Sequence, residues 1–389
     1  MIFRIITSKN RLVMNGNTLN EPFSYSEGIE SLRNGLMLEN EFKQMIESAL
    51  NLKVTSFSSS ASFLEKESGC IEDCSIKLIA HIPTENKKLQ GTRYYYSEGK
   101  RIIHFTSINV LYSIINEGAI RMYNLHNSND DCEYSFASSK LKEIYSLGQN
   151  DNGIERRISD VKEYSFILST TSLSELRNKA FWDKYGHGGK GVAIEFEIIN
   201  DLNTWEYSYF SKVHYNKLDE FEALKEGWSK IQLQNKHIHY RVELDQLLSF
   251  HKSERWNSEK EIRILTLFSN VFHSNPFRER IYSDFKFDKA DKPIKYFKLP
   301  LCDKNGEFID KELNSCPESF RQIIPKLRIS NIYFSSDCPI SNNDFTNFQV
   351  NLQKYVSDKM NCWIGSLSNN KKVEYVKQTS CSQLSRIFN

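Results

Sequence analysis

The stretch Lys252-Ser-Glu-Arg-Trp256-Asn-Ser-Glu259-Lys-Glu261-Ile-Arg263-Ile264-Leu265 constrains this chain more than any other. Extended from Glu259, it places Glu259, Glu261 and Arg263 on one face and turns Ile262 and Ile264 toward a core. Two carboxylates and a guanidinium beside Trp256 are an unusual load for a strand. Charges stay on a sheet face either because water solvates them or because they carry chemistry. A solvated edge strand and a functional face both fit this segment taken alone.

The rest of the chain supplies a core for such a strand. Of 389 residues, 39% are apolar and 26% charged, which predicts one large or two moderate globular domains. With 25 Phe and 19 Tyr against 8 Pro and 16 Gly, collagen-like and disordered architectures are excluded. The formal charge of +2 announces neither nucleic acid nor an anionic membrane, although a local basic groove is compatible with it. No apolar run approaches the ~18 residues of a membrane span. Met1-Ile-Phe-Arg-Ile-Ile lacks the apolar region and cleavage site of a signal peptide. The cysteines at 70, 74, 132, 302, 316, 338, 362 and 381 follow no repeating interval, and Cys70-x3-Cys74 has no companion pair at zinc-finger spacing. A soluble, cytoplasmic chain with free thiols is expected.

Taken in order, residues 1–95 form an N-terminal α/β region of unknown role. Ile2–Ile6 and Arg11–Met14 read as a short hairpin, and residues 39–52 as an amphipathic helix through Phe42, Ile46 and Leu50. Residues 56–62 read as a loop and 75–82 as a strand, in which His81 is a satisfied core or edge histidine. From Lys100 the pattern sharpens. Arg101-Ile-Ile-His104-Phe-Thr106 is a strand, Ser107 caps a helix carrying Val110, Leu111, Ile114 and Ile115, and Gly118 ends it. His104 and Thr106 share a strand face beside a helix N-terminus, a natural place for hydroxyl or phosphate groups.

Asn129-Asp130-Asp131-Cys132-Glu133 reads as a turn capping a helix, and residues 164–170 as a buried strand. Trp182 and Tyr185 enter a loop with Gly186, Gly188, Gly189 and Gly191 before a strand from Val192. That cluster lacks the Gly-Lys-Ser/Thr ending and the following helix of a phosphate loop. Residues 219–250 read as a long helical insertion in which His237 and His239 lack metal-ligand spacing. Late strands or strand–helix units follow at 296–300, 323–327 and 329–334, before a polar tail. The fold class is α+β: a mixed or antiparallel sheet core with helices in its connections over residues 96–355, the N-terminal region, and a C-terminal segment 356–389.

Several of these residues, in this order, resemble a bacterial family known as domain of unknown function 2971. The resemblance is carried by His104-Phe-Thr106, Gly118, Asn129-Asp130-x-x-Glu133, Trp182-x-x-Tyr185, Lys190-Gly191-Val192 and Lys252 through Arg263, across about residues 100–340. A more distant resemblance is to the ADP-ribosyltransferase superfamily, whose opening motif looks like strand-His-x-Thr followed by a helix ending in Gly. In that superfamily a first-strand His or Arg holds the NAD ribose. An aromatic or Ser-bearing middle strand flanks the nicotinamide, and a late Glu, often in Glu-x-Glu, performs catalysis. This chain departs from the pattern in two ways. Tyr185 precedes the middle strand, and Leu168-Ser169-Thr170-Thr171 is close to a Ser-Thr-Ser run without matching it.

The resemblance implies an NAD-consuming transferase or glycohydrolase, a bacterial effector of toxin or phage-defence type, acting without metal on a nucleic-acid or protein acceptor. Glu261 or Glu259 then supplies the catalytic carboxylate, and His104 and Thr106 hold the cofactor. Tyr185, Trp182 or Trp256 wall the nicotinamide, and Arg101, Arg121 or Arg263 meet the pyrophosphate. Asn129, Asp130, Glu133 and Trp256 are candidates for binding the substrate. An ion pair neutralising the two glutamates is the alternative role of Arg263. Two other function classes fit the same residues. One is a non-enzymatic module that binds a nucleotide or partner; the other is a metal-dependent nuclease built on Asp130, Glu133, Glu259 and Glu261.

Overall fold

The computed structural model describes residues 4–6, 11–13, 39–65, 71–82, 85–127, 133–140, 151–234, 238–268, 281–287, 293–303, 305–335, 337–338 and 364–366. The chain divides into two compact units, each assembled from three segments. The first unit gathers residues 1–84, 134–160 and 216–251, and the second gathers 85–133, 161–215 and 252–389. The α+β class holds: helices and largely antiparallel sheets occur together. No helix among the described residues is long and apolar enough to cross a membrane.

In the first unit a five-stranded mixed sheet is built around the long antiparallel pair Ser56–Glu65 and Ile71–His81. The expected N-terminal hairpin pairs Arg4–Ile6 with Arg11–Val13 and joins this sheet. The helix at 39–50 buries Phe42, Ile46 and Leu50, as its periodicity predicts. Two expectations change. The serine-rich run from Ser56 is a strand, because the ladder uses backbone groups that serines carry as well as any residue; cross-strand context overrides their turn preference. The insertion is not helical throughout. Its helix spans Asp219–Gln234, and Ile238–Glu243 pairs in parallel with Ile71–His81. The alternation of Ile238, Tyr240 and Val242 is the period-2 signal for it. His239 lies on that strand, His237 lies outside the described residues, and the His81 ring meets the Ser58 hydroxyl at 2.9 Å.

The second unit contains, in order, β1 (Arg101–Thr106), α1 (Ile108–Glu117), β2 (Ala119–Asn124), β3 (Ser165–Thr170), α2 (Lys179–Tyr185), β4 (Val192–Ile198), β5 (Ser208–Lys212), β6 (Ile262–Leu267), β7 (Ile281–Phe287), β8 (Pro293–Pro300), β9 (Leu327–Phe334) and β10 (Ile364–Ser366). One antiparallel sheet has the order β7-β8-β2-β3-β6-β5. The other has the order β10-β9-β4-β1, with only β9 and β10 parallel. A single apolar core joins Ile102, Ile194 and Phe196 of one sheet to Phe166, Leu168, Ile262 and Ile264 of the other. Burial of this kind contributes roughly 25 cal/mol per Å² of apolar surface.

Two local features fix where the polar residues end up. The Ser107 hydroxyl accepts from the Val110 N–H at 3.3 Å, and Gly118 closes α1 in the left-handed region at φ 59°, so β1 and β2 are joined by one tight crossover. Ile103 and Thr171 exchange two backbone hydrogen bonds of 2.8 Å, which holds β1 against the end of β3.

The glycine of Lys190-Gly191-Val192 is required by space. A Cβ at Gly191 would lie 2.2 Å from the Thr106 carbonyl oxygen, which belongs to backbone and cannot swing aside. At Gly188 a Cβ meets nothing within 4 Å, and only its φ of +65° resists substitution. Gly188→Ala is expected to cost about 1 kcal/mol. Gly191→Ala is expected to cost several times more, read as the larger fall in the urea midpoint.

Candidate functional site

Strand β6 lies between β3 and β5, and every residue from Ile262 to Thr266 is buried. Its register sets Arg263 opposite Ser169 on one side and Ser211 on the other. Arg263 is 0% exposed, so its charge must be met by protein groups. Its Nε donates to Glu261 Oε1 and its Nη2 to Glu261 Oε2, both at 2.9 Å, and Nη2 also reaches Glu133. Lys252 adds a second buried cation, with Nζ 2.7 Å from Glu261, 2.9 Å from Glu259 and 3.5 Å from Glu133.

This network sets the ionisation of its members. Burial alone would raise the Glu261 carboxyl, but Arg263 and Lys252, through charge and hydrogen bonds, hold it well below the usual carboxylate range. Burial raises Glu133, with Arg263 and Lys252 opposing. Burial also works against the Lys252 ammonium, yet Glu261 and Glu133 outweigh it and hold Lys252 protonated.

Above the network opens a cleft of about 520 Å³, lined by residues from β1, α1, β2 and β3 together with Glu133, Tyr185, Lys252, Trp256, Glu259 and Glu261. Ser169, an exposed residue on the otherwise buried β3, donates from Oγ to Glu261 Oε1 at 2.5 Å. Its carbonyl lies 3.0 Å from His104 Nδ1. A carbonyl only accepts, so Nδ1 carries the proton and Nε2 keeps its lone pair. Burial lowers the imidazole pKa, against the Ser169 carbonyl, so the neutral ring is favoured. Tyr185 donates from its hydroxyl to Glu259 at 2.9 Å; burial and then the Glu259 charge push that phenol up.

The residues singled out by sequence therefore separate. His104, Glu133, Tyr185, Trp256, Glu259, Glu261 and Arg121 line the cleft. Arg263 lies beneath it as a buried counter-ion closed to a pyrophosphate, and it pairs with Glu261 as the alternative role expects but with Glu133 in place of Glu259, which Lys252 meets. Thr106 does not line the cleft: its carbonyl edge is covered by the close passage of Gly191. Trp182 is core, stacked edge-on against Phe105 at 5.0 Å with its N–H on the Leu176 carbonyl. Arg101 is exposed and faces buried Glu195 at 3.4 Å, away from the cleft lining. Asn129 and Asp130 lie outside the described residues.

Glu259 is not on the strand. It ends the 3-10 helix Glu254–Glu259, and Lys260 in the left-handed region at φ 41° turns the chain before β6. Tyr185 and Trp182 stand on helix α2 instead of in a loop. The motifs assign no role to Lys252 or Ser169, yet Lys252 ties three carboxylates together. The signal available for Lys252 was its place at the head of the charged stretch. Among the described residues no group of three His, Cys, Asp or Glu could hold a metal ion, and Lys252 sits where Glu133, Glu259 and Glu261 converge.

Removing one partner of a buried ion pair strands the other, at a cost of about 3–5 kcal/mol. Arg263→Met is expected to lose that much at neutral pH in urea denaturation. The deficit should narrow as pH falls and Glu133 and Glu261, left to Lys252 alone, protonate. In the unaltered protein the sign at Glu261 is opposite. Its folded-state pKa lies below the ordinary 4.5, so its contribution is complete above that pH and is lost as pH falls further.

The model of a protein family of unknown function, DUF2971, matches residues 181–264, which include Tyr185, Lys252, Trp256, Glu259, Glu261 and Arg263. No curated protein and no solved structure matches the chain.

Proposed function

We propose that the second unit consumes NAD, transferring ADP-ribose to an acceptor or to water, with Glu261 as the catalytic carboxylate. One observation carries this reading: the hydrogen-bonded line from His104 through Ser169 to Glu261 across β1, β3 and the entry of β6. A first-strand His, a near relative of the Ser-Thr-Ser run and a late Glu of a Glu-x-Glu are elements that bear on the ADP-ribosyltransferase resemblance. Here they meet in one cleft.

The chemistry follows from the geometry. As the C–N bond between ribose and nicotinamide breaks, its electron pair leaves with nicotinamide, and positive charge develops on the ribose. A carboxylate held ionised stabilises that charge and accepts from a ribose hydroxyl. Arg263 and Lys252 keep Glu261 in that state. Neutral His104 offers Nε2 to a second ribose hydroxyl, and Tyr185 and Trp256 supply aromatic walls. Arg121, paired with Glu117 in the same cleft, is the candidate for the pyrophosphate. Under this reading the acceptor is nucleic acid or protein, and the chain is a bacterial effector of toxin or phage-defence type.

A second reading, nucleotide binding without turnover, is favoured by the occupancy of Glu261, whose two oxygens already serve Ser169, Arg263 and Lys252. The divalent-metal nuclease is disfavoured because an ammonium occupies the meeting point of its glutamates.

The test incubates the full chain with NAD labelled in the nicotinamide, with and without cell extract. Nicotinamide release is expected, and Glu261→Gln should lower it about 100–1000-fold. Circular dichroism must show that the variant is folded, because Gln leaves Arg263 less well neutralised. His104→Ala should chiefly raise the KM for NAD. NAD binding without release supports the second reading, and full activity in Glu261→Gln or no NAD binding at all overturns the first.

A further inference from the structure

Lys252 and Arg263 both meet Glu133 and Glu261, and Lys252 also meets Glu259, the least buried of the three carboxylates. A third cation, Lys184, approaches from the surface with a side chain 47% exposed. Its ammonium lies 3.7 Å from Glu259 Oε1, 4.9 Å from the centre of the Tyr185 ring and 5.2 Å from the Trp256 ring. Tyr185 is itself tied to Glu259 through its hydroxyl. Two aromatic rings and a carboxylate around one cation form a cation box, and all three of its walls line the cleft.

We propose that Tyr185, Trp256 and Glu259 form a subsite for an organic cation, and that Lys184 occupies it until a ligand cation takes its place. Glu133 and Glu261 are committed to Arg263 and Lys252 deep in the protein, whereas Glu259 is reached by a long, half-exposed side chain. An exposed ammonium regains water when it leaves, so its displacement is inexpensive. A planar pyridinium gains more from the two rings than an ammonium does, because it stacks as well as carrying charge. Lys252 and Arg255 also lie within 6 Å of the Trp256 ring, at 5.8 and 5.4 Å. The box therefore accepts a cation only when it replaces Lys184, not when it is added to it.

The inference rests on geometry that the proposed function shares, and it specifies for that function the charged ring of oxidised NAD over the neutral ring of the reduced form. The probes are 1-methylnicotinamide, a pyridinium cation, and nicotinamide, its neutral counterpart. Each is titrated into the full chain by calorimetry. The cation is expected to bind about tenfold more tightly than the neutral amide. Lys184→Gln, which removes the resident competitor, should tighten the cation several-fold and leave the amide unchanged. Trp256→Leu should abolish the preference.

Equal binding of the two probes, absence of cation binding at millimolar concentration, or weaker cation binding in Lys184→Gln overturns the subsite. Cation preference in a chain that neither binds nor turns over NAD upholds the subsite and overturns the NAD reading. NAD turnover with no cation preference does the reverse.

Discussion

The burial of the Arg263 guanidinium is the constraint on which the second unit's cleft depends. Every hydrogen-bond donor on that group must be met inside the protein, and stripping water from an ion costs several kcal/mol even after relaxation. Glu261 answers with both oxygens and Glu133 with one. Glu133 closes the segment that runs on from β2, and Glu261 is the residue before β6. The ion pair thus fixes where two distant stretches of sequence stand relative to each other. Packing energy does not require it, since apolar replacements of buried ion pairs are often neutral or stabilising. What an apolar core could not do is hold a carboxylate ionised at the floor of a cleft.

That distinction decides how the charged stretch is to be understood. A solvated edge strand would show Glu261 and Arg263 to water, on a strand with one free side. Strand β6 instead has a neighbour on each side, and Glu261 is 3% exposed. The charge is kept because it is paired. An ionised Glu261 at a cleft that Tyr185 and Trp256 also line is the arrangement that the proposed function uses. It suits a reaction that develops positive charge, and equally a ligand that arrives with one.

Much of this was legible in the sequence, for identifiable reasons. Alternation placed Ile262 and Ile264 in the core with Arg263 opposed to them, and a capping serine with a terminal glycine delimited α1 correctly. Periodicity could not reveal that Glu259 reaches the site from a 3-10 helix, because such a helix followed by a left-handed residue imitates the spacing of a strand. It also sorted Thr106 and Trp182 by type when their neighbours decided their roles: Gly191 covers one, and Phe105 stacks on the other. Lys252 was hidden for a different reason. A lysine is ordinarily solvated, and nothing local announces that three carboxylates will surround it. The strands at Ser56 and Ile238 depend on partners far away in sequence, which no window contains.

The position of Ser169 ties the fold to the site most economically. Its carbonyl sets the tautomer of His104, and its hydroxyl holds Glu261. Both depend on the register of β3, set against β6 by the Ser169–Arg263 pairing and against β1 of the other sheet by the isolated Ile103–Thr171 bridge. A slip of one residue would turn Oγ to the opposite face of the sheet and set Leu168 or Thr170 in its place. The apolar pattern forbids that slip, because Phe166 and Leu168 would leave the core. The same burial that stabilises the sheet therefore orients the imidazole and the carboxylate, and the site needs no separate scaffold of its own.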